Sequence, residues 1–302
     1  AKQSAANARR AAEEQYAKDT LAATGLGQGI VSSQMLLDQM NGDDGELTAQ
    51  RAAADREWTY GHIVVDEAQE LTAMDWRMLI RRCPSRSFTI VGDVAQTSAL
   101  AGTRRWDKTM NRLFGEGHWD LNELTINYRN PQEVSDLASR FAQNEGLYIS
   151  TVNAVRALPD SVSRHVVDDM KALLTVTSNQ AAQLANHFVS ADGTGRIAII
   201  CPDDLIKPVR EAVRHRLSSL MAPSEYQRLI DQPEWDEQIS VCGTEMVKGL
   251  EFDAVIVIEP GRIEDDAPSR LVAASDLYVA TTRPTQKLVI VRTKEDERSL
   301  NI

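Results

Sequence analysis

Ile63-Val64-Val65-Asp66-Glu67-Ala68-Gln69 is the stretch from which the fold can be read. Three β-branched apolar residues make a short apolar strand. Two adjacent carboxylates leave its C-terminal end, the position where open parallel sheets hold their ligands. One carboxylate can hold Mg²⁺ through its waters, and its neighbour can orient and deprotonate an attacking water. Asp-Glu after a strand also serves as a plain solvated turn and helix cap, so this stretch alone leaves both readings open.

Working outward, the arrangement recurs about 25 residues on, where Ile90-Val91-Gly92-Asp93-Val94-Ala95-Gln96 again ends an apolar strand in an acid, followed by a glutamine. A glutamine amide can donate to a phosphate oxygen and accept from a water. Residues 71–82 read as the helix between the two strands, and 121–126 as a further strand leading into Asn127-Tyr128-Arg129-Asn130-Pro131. The texture then repeats. A helix is expected over 132–144, with Val134, Leu137 and Phe141 on one face, then a buried strand at 196–201. The next helix places Val209, Val213, Leu217 and Leu220 on one side, with Pro208 near its start. Strands at 239–242, 254–258 and 287–292 follow, with a helix around 269–282. Strand–helix alternation of this kind predicts an α/β fold built on parallel sheets. The block before residues 115–126 has too few strands for a complete nucleotide-binding lobe; the block after has enough.

Upstream of Trp58 the texture differs. Residues 1–22 are rich in Ala, Arg, Glu and Gln and favour a solvated helix. The stretches at 25–29 and 41–46 carry turn residues, with a short helix expected at 31–40 between them. The opening AKQSAANARRAAEEQYAKD is polar and charged, unlike a signal peptide. No apolar run reaches the roughly 20 residues that span a bilayer. Cys83, Cys201 and Cys242 lack metal-ligand spacing and read as small buried hydrophobes in a reducing cytoplasm. A formal net charge of −11 argues against a surface that is nucleic-acid-binding throughout. It leaves room for a local basic groove or a protein partner.

Taken together, five segments resemble the UvrD/Rep/PcrA class of superfamily 1 helicase-type ATPases. Asp66-Glu67-Ala68-Gln69 resembles the Walker B motif, and Gly92-Asp93-Val94-Ala95-Gln96 resembles motif III. Leu124-Thr125-Ile126-Asn127-Tyr128-Arg129 is similar to motif IV, Lys248-Gly249-Leu250-Glu251-Phe252 to motif V, and Leu277-Tyr278-Val279-Ala280-Thr281-Thr282-Arg283 to motif VI. The resemblance implies two RecA-like lobes closing on ATP and Mg²⁺. Residues 1–120 would be the latter part of the first lobe, and 121–302 the second lobe without a large inserted domain. It implies Asp66 on the metal, Glu67 as general base, and Gln96, Arg129 and Arg283 at the γ-phosphate. It further implies nucleotide contacts from Gln69, Asp93, Lys248, Gly249 and Glu251, the last at the ribose.

Three features depart from that class. No G-x-x-x-x-G-K-[ST] occurs, so the backbone cradle and lysine that grip the β- and γ-phosphates are missing. The chain is therefore expected to be a portion of a motor whose first lobe begins upstream, or else a non-hydrolysing relative. Thr97-Ser98-Ala99-Leu100-Ala101-Gly102 lacks the base-stacking aromatics that follow motif III in DNA-translocating relatives. Glu245 stands where those relatives carry a histidine, and a carboxylate there repels a phosphate backbone. With Glu57-Trp58-Thr59-Tyr60-Gly61-His62 and the run KGLEFDAV at 248–255, these features are most similar to the HelD branch. Proteins of that branch use the motor to free bacterial RNA polymerase from nucleic acid. The expectation is a bacterial, cytoplasmic, nucleoid-associated protein with RNA polymerase as partner. A conventional DNA helicase and a protein-binding pseudo-motor are the alternatives.

Overall fold

The computed structural model of the chain describes residues 59–190, 192–232 and 237–296. Compactness divides the chain into Ala1–Thr59 and Tyr60–Ile302, so the elements below belong to the second unit. The helices expected at 1–22 and 31–40 lie outside the described residues.

The element order opens with β1 (Ile63–Val65), α1 (Ala73–Arg82), β2 (Phe88–Ile90) and α2 (Trp106–Phe114). β1 and β2 pair in parallel, with Val64 opposite Thr89. Thr72 starts α1 with a capping box: its hydroxyl accepts from Asp75 N–H, and the Asp75 carboxylate accepts from Thr72 N–H. One face of this two-stranded sheet packs Val65 and Ala68 against Trp76 and Met110. The other leaves Val64 67% exposed.

The rest forms a second layer system. β3 (Ile126–Pro131) leads into α3 (Gln132–Asn144) and pairs in parallel with β4 (Asn153–Arg156). Then come β5 (Val162–Val167), α4 (Met170–Phe188), β6 (Ile197–Ile200), α5 (Asp203–Leu220), α6 (Pro223–Ile230), β7 (Ile239–Cys242), β8 (Phe252–Ile258), α7 (Pro260–Asp266), α8 (Arg270–Thr282) and β9 (Pro284–Thr293). Five of these strands make one sheet in the order β5-β9-β8-β6-β7. Every pairing in it is parallel.

A strand's side chains alternate between faces, and the sheet obeys this at each central strand. Ile197, Ile199, Cys201, Ala254, Ile256, Ile258, Val289 and Val291 face the side covered by α4 and α5. Ala198, Ile200, Val255, Val257, Leu288 and Ile290 face α3 and α8. Both faces are dry, which is why these strands read as unbroken apolar runs rather than as alternation. The result is the expected α/β class, a RecA-like arrangement of parallel strands flanked by helices.

Several expectations need correction. The third strand begins at Ile126, not 121, and Leu124 is 85% exposed. Its partner β4 starts opposite Ile126, so residues before it have no ladder to join. Leu220 is exposed rather than buried with Val209, Val213 and Leu217. Pro208 lies inside α5 rather than near its start. The cysteines are all free, with Cys83 and Cys201 buried and Cys242 half-buried. Cys201 follows β6 and Cys242 ends the neighbouring β7, and the two pack into opposite faces. Among the described residues no helix is long and apolar enough to cross a membrane.

Ile256 is fully buried in β8, between β9 and β6. Ile256→Ala should lower unfolding free energy by about 2–5 kcal/mol, the range for buried large-to-small changes. Urea titration followed by circular dichroism measures it, and a loss below about 1 kcal/mol would place this strand outside the core.

Candidate functional site

The two strand tips of the first block are tied together before they meet anything else. Gln69 is 1% exposed. Its Nε2 donates to Glu67 Oε2 at 2.6 Å, and its Oε1 accepts from Asp93 N–H at 3.1 Å. Its carbonyl accepts from Thr103 N–H at 2.7 Å. Gly92 is required for this approach: a Cβ there would lie 2.3 Å from Gln69 Oε1. Gln69, expected at the nucleotide, thus has both ends of its amide engaged within the first block, where it orients Glu67.

Glu67 has a left-handed backbone, φ 49 and ψ 36. That conformation costs a non-glycine residue on the order of 1 kcal/mol and is a mark of functional sites. Asp66 is exposed, with Oδ1 accepting from Glu67 N–H at 2.9 Å. Among the described residues no group of three His, Cys, Asp or Glu side chains could enclose a metal. A single open carboxylate fits a cation that keeps most of its water and takes further ligands from a bound phosphate, which is how Mg²⁺ prefers to bind. The residues present are compatible with that ion on those terms.

The chain of bonds continues into the second block. Asp93 Oδ1 accepts from Ala95 N–H at 3.0 Å, and Oδ2 accepts from Gln96 Nε2 at 2.9 Å. Gln96 Oε1 in turn accepts from Arg283 Nη2 at 2.9 Å. Arg283 follows α8 directly and is 3% exposed. Its Nε donates to Val279 O at 3.2 Å and its Nη1 to Leu250 O at 3.3 Å. Helix C-terminal carbonyls suit a cation. Burial lowers the pKa of Arg283 first of all, and neighbouring Arg129 lowers it further. Glu67, Asp93 and Glu251 act in the opposite sense, favouring the charged form. Acidic strand tips and buried guanidinium therefore share one electrostatic neighbourhood.

Gln96, Arg129, Glu251 and Arg283 line a cleft of about 540 Å³. Arg129 Nη2 pairs with Glu251 Oε1 at 2.6 Å, both side chains near half exposed. Asp66, Glu67, Gln69, Asp93, Lys248 and Gly249 are not among the lining residues. Lys248 Nζ lies 3.8 Å from Asp276 Oδ1 instead. Gly249 takes φ +70, a left-handed turn that carries the chain toward Glu251.

The structure adds Tyr128, Asn130, Tyr278 and Thr282 to the lining. Asn130 is buried and donates from Nδ2 to Thr282 O at 2.9 Å and Pro284 O at 2.7 Å. This clips the β3 tip to the α8–β9 junction. The Tyr278 hydroxyl is pushed up by burial, with Asp93 adding to it. The sequence signal for Asn130 is its spacing from Asn127, whose Nδ2 donates to Asn130 Oδ1 at 3.0 Å. Tyr278 could be placed only once the helix had a partner.

Comparison of the chain with known protein families and with curated proteins gives no match. Among solved structures it is similar to the C-terminal domain of a possible DNA helicase from Lactobacillus plantarum WCFS1. The identity is 18% and the TM-score 0.38, over 55% of this chain and 88% of that one.

Burial holds the Asp93 carboxyl above its ordinary value of 3.8. The folded chain therefore keeps this proton more readily than the unfolded chain. The stability so gained is fully present below 3.8 and is lost as pH rises through the raised folded value. Asp93→Asn fixes the neutral state, so its stability relative to the parent should increase between about pH 3 and about pH 7. Urea midpoints across that range give the result, and a flat difference would mean the carboxylate is not desolvated.

Proposed function

We propose that this chain is the rear portion of an ATP-dependent superfamily 1 motor, with the triphosphate end of ATP held between the described cleft and the strand tip that carries Asp66 and Glu67. The observation that carries the reading is the unbroken run of hydrogen bonds from Glu67 through Gln69, Asp93 and Gln96 to Arg283. It joins a candidate water-activating carboxylate in one block to a candidate arginine finger in the other. Charge that develops on a transferring phosphoryl group is stabilised by fixed guanidinium groups in a low-dielectric site. Arg283 is buried and held in place, as such a role requires, while Arg129 stands at the rim. Asp66 would hold Mg²⁺ and Glu67 would orient the attacking water. When bound, Mg²⁺ neutralises charge on the phosphate oxygens. Glu251 would accept from the ribose after releasing Arg129.

Coupling of this hydrolysis to the release of RNA polymerase from nucleic acid is the finer part of the proposal. It rests on the resemblance to the HelD branch and on the surface around Asp276. Glu245 is exposed there, and it and Glu70 add to the upward push that burial gives the Asp276 carboxyl. An acidic surface at that position disfavours a nucleic-acid backbone and suits a protein partner.

Arg283→Ala in a protein that also supplies a phosphate-binding loop should cut ATP turnover by about a thousandfold or more, the usual cost of a lost arginine finger. Nucleotide affinity should stay within a few fold; a near-normal rate would remove Arg283 from the chemistry. The present chain by itself should hydrolyse Mg·ATP negligibly, and phosphate release near 1 per second, an ordinary enzyme rate, would show that the loop is dispensable. The partner assignment is tested by recovering the intact protein with RNA polymerase. Strong stimulation of ATPase by single-stranded DNA, without such recovery, would favour a conventional translocase.

A further inference from the structure

The loop after β2 touches the second block at a second polar point, away from the cleft. Ser98 Oγ donates to Asp276 Oδ1 at 2.7 Å. Asp276 lies on α8, is 8% exposed, and does not line the cleft. It precedes Arg283 by seven residues (283 − 276 = 7), two helical turns, or about 10.5 Å along one face of the helix. Gln96 and Ser98, two residues apart on the loop, thus grip α8 at two sites two turns apart.

Both sides of this grip are stiff. Glu70, one residue after Gln69, accepts from Ser98 N–H at 3.0 Å and from Ala99 N–H at 3.1 Å. The buried Thr97 hydroxyl is within 2.9 Å of both Val94 O and Thr103 O, its candidate acceptors. The loop is therefore braced by the same segment that carries Glu67. On the other side Lys248 approaches Asp276 from the turn before Glu251. One attachment point would leave α8 free to swivel about the Gln96–Arg283 bond; two points at this separation fix its direction.

We propose that Asp276 is a positioning residue: with Ser98 it forms the second point of a clamp that sets the register between the two blocks, and so aims Arg283. The inference rests on the proposed function only for the purpose of that aim, and the clamp itself is testable without nucleotide. Burial holds the Asp276 carboxyl above its ordinary value even though Lys248 and Ser98 favour its charged form. A carboxylate held against desolvation is a stability cost.

The test is interblock distance by double electron–electron resonance on the full chain. Spin labels are placed by Met78→Cys on α1 and Lys171→Cys on α4, both exposed, with Cys242→Ala removing the half-buried native thiol. The parent should show one narrow distribution. Ser98→Ala and Asp276→Leu should each broaden it about twofold or shift its mean. Asp276→Asn, which keeps an acceptor for the Ser98 hydroxyl, should restore the narrow distribution. Unchanged distributions in both Ser98→Ala and Asp276→Leu would overturn the clamp. Should Asp276→Leu not fold, Ser98→Ala decides alone, since it removes a single oxygen. Titrating Mg·ATP into the parent separates the two ideas: if no nucleotide binds even with a phosphate-binding loop supplied, the motor reading fails while the distance result stands.

Discussion

A guanidinium taken out of water must be met by acceptors on every side, and the joint between the blocks is built around that demand. Arg283 is answered by Val279 O, Leu250 O and, at 3.4 Å, Thr282 Oγ1 from its own block and by Gln96 Oε1 from the other. Removing Gln96 Oε1 leaves Nη2 with the long Thr282 contact, a loss of about 1–3 kcal/mol for a buried charged group. The contact is therefore not a surface ion pair that salt can dissolve. It ties the position of Gln96, and through Asp93 and Gln69 that of Glu67, to the end of α8.

Arg129 and Glu251 present the opposite case. Their 2.6 Å pair sits at the cleft rim with about half of each side chain in solvent. Pairs of that kind contribute little and exchange partners easily. A cleft with one guanidinium fixed by burial and another held loosely has a rigid floor and a yielding edge. An incoming anion can displace Glu251 from Arg129 at small cost, but it cannot reorient Arg283 without unmaking the joint.

What could be read from the sequence follows this division between local and tertiary causes. The central strands are legible because burial on both faces demands the runs at 197–200 and 254–258. The Asp66-Glu67 and Asp93 strand tips are legible because each ends an apolar run. Helix α4 carries no such mark: besides Leu173 and Leu184 its buried face is Thr177, Ser178, Ala181, Ala182 and Ala185, small or polar residues that look solvated in a string. The start of β3 is misplaced because only pairing with β4 decides it, and apolar Leu121 and Leu124 point to an earlier strand. Within the site the acids and arginines announce themselves by type. The internal roles of Gln69 and Asp276 do not, since each depends on which atoms a distant segment brings within hydrogen-bond distance.

That dependence bears on how chemistry could be coupled to motion. The loop from Val94 to Ala99 carries the partner of Arg283, the partner of Asp276 and the backbone N–H groups held by Glu70. Glu67 precedes and Glu70 ends the same short turn, Ala68–Glu70. A displacement of that turn by a ligand at Asp66 or Glu67 therefore reaches α8 through two rigid links rather than through a diffuse interface. Packed elements with discrete hydrogen-bonded arrangements switch rather than deform, and a switch needs its two ends joined by parts that do not stretch. The braced loop meets that requirement, whereas the rim pair Arg129–Glu251 can exchange partners without disturbing it.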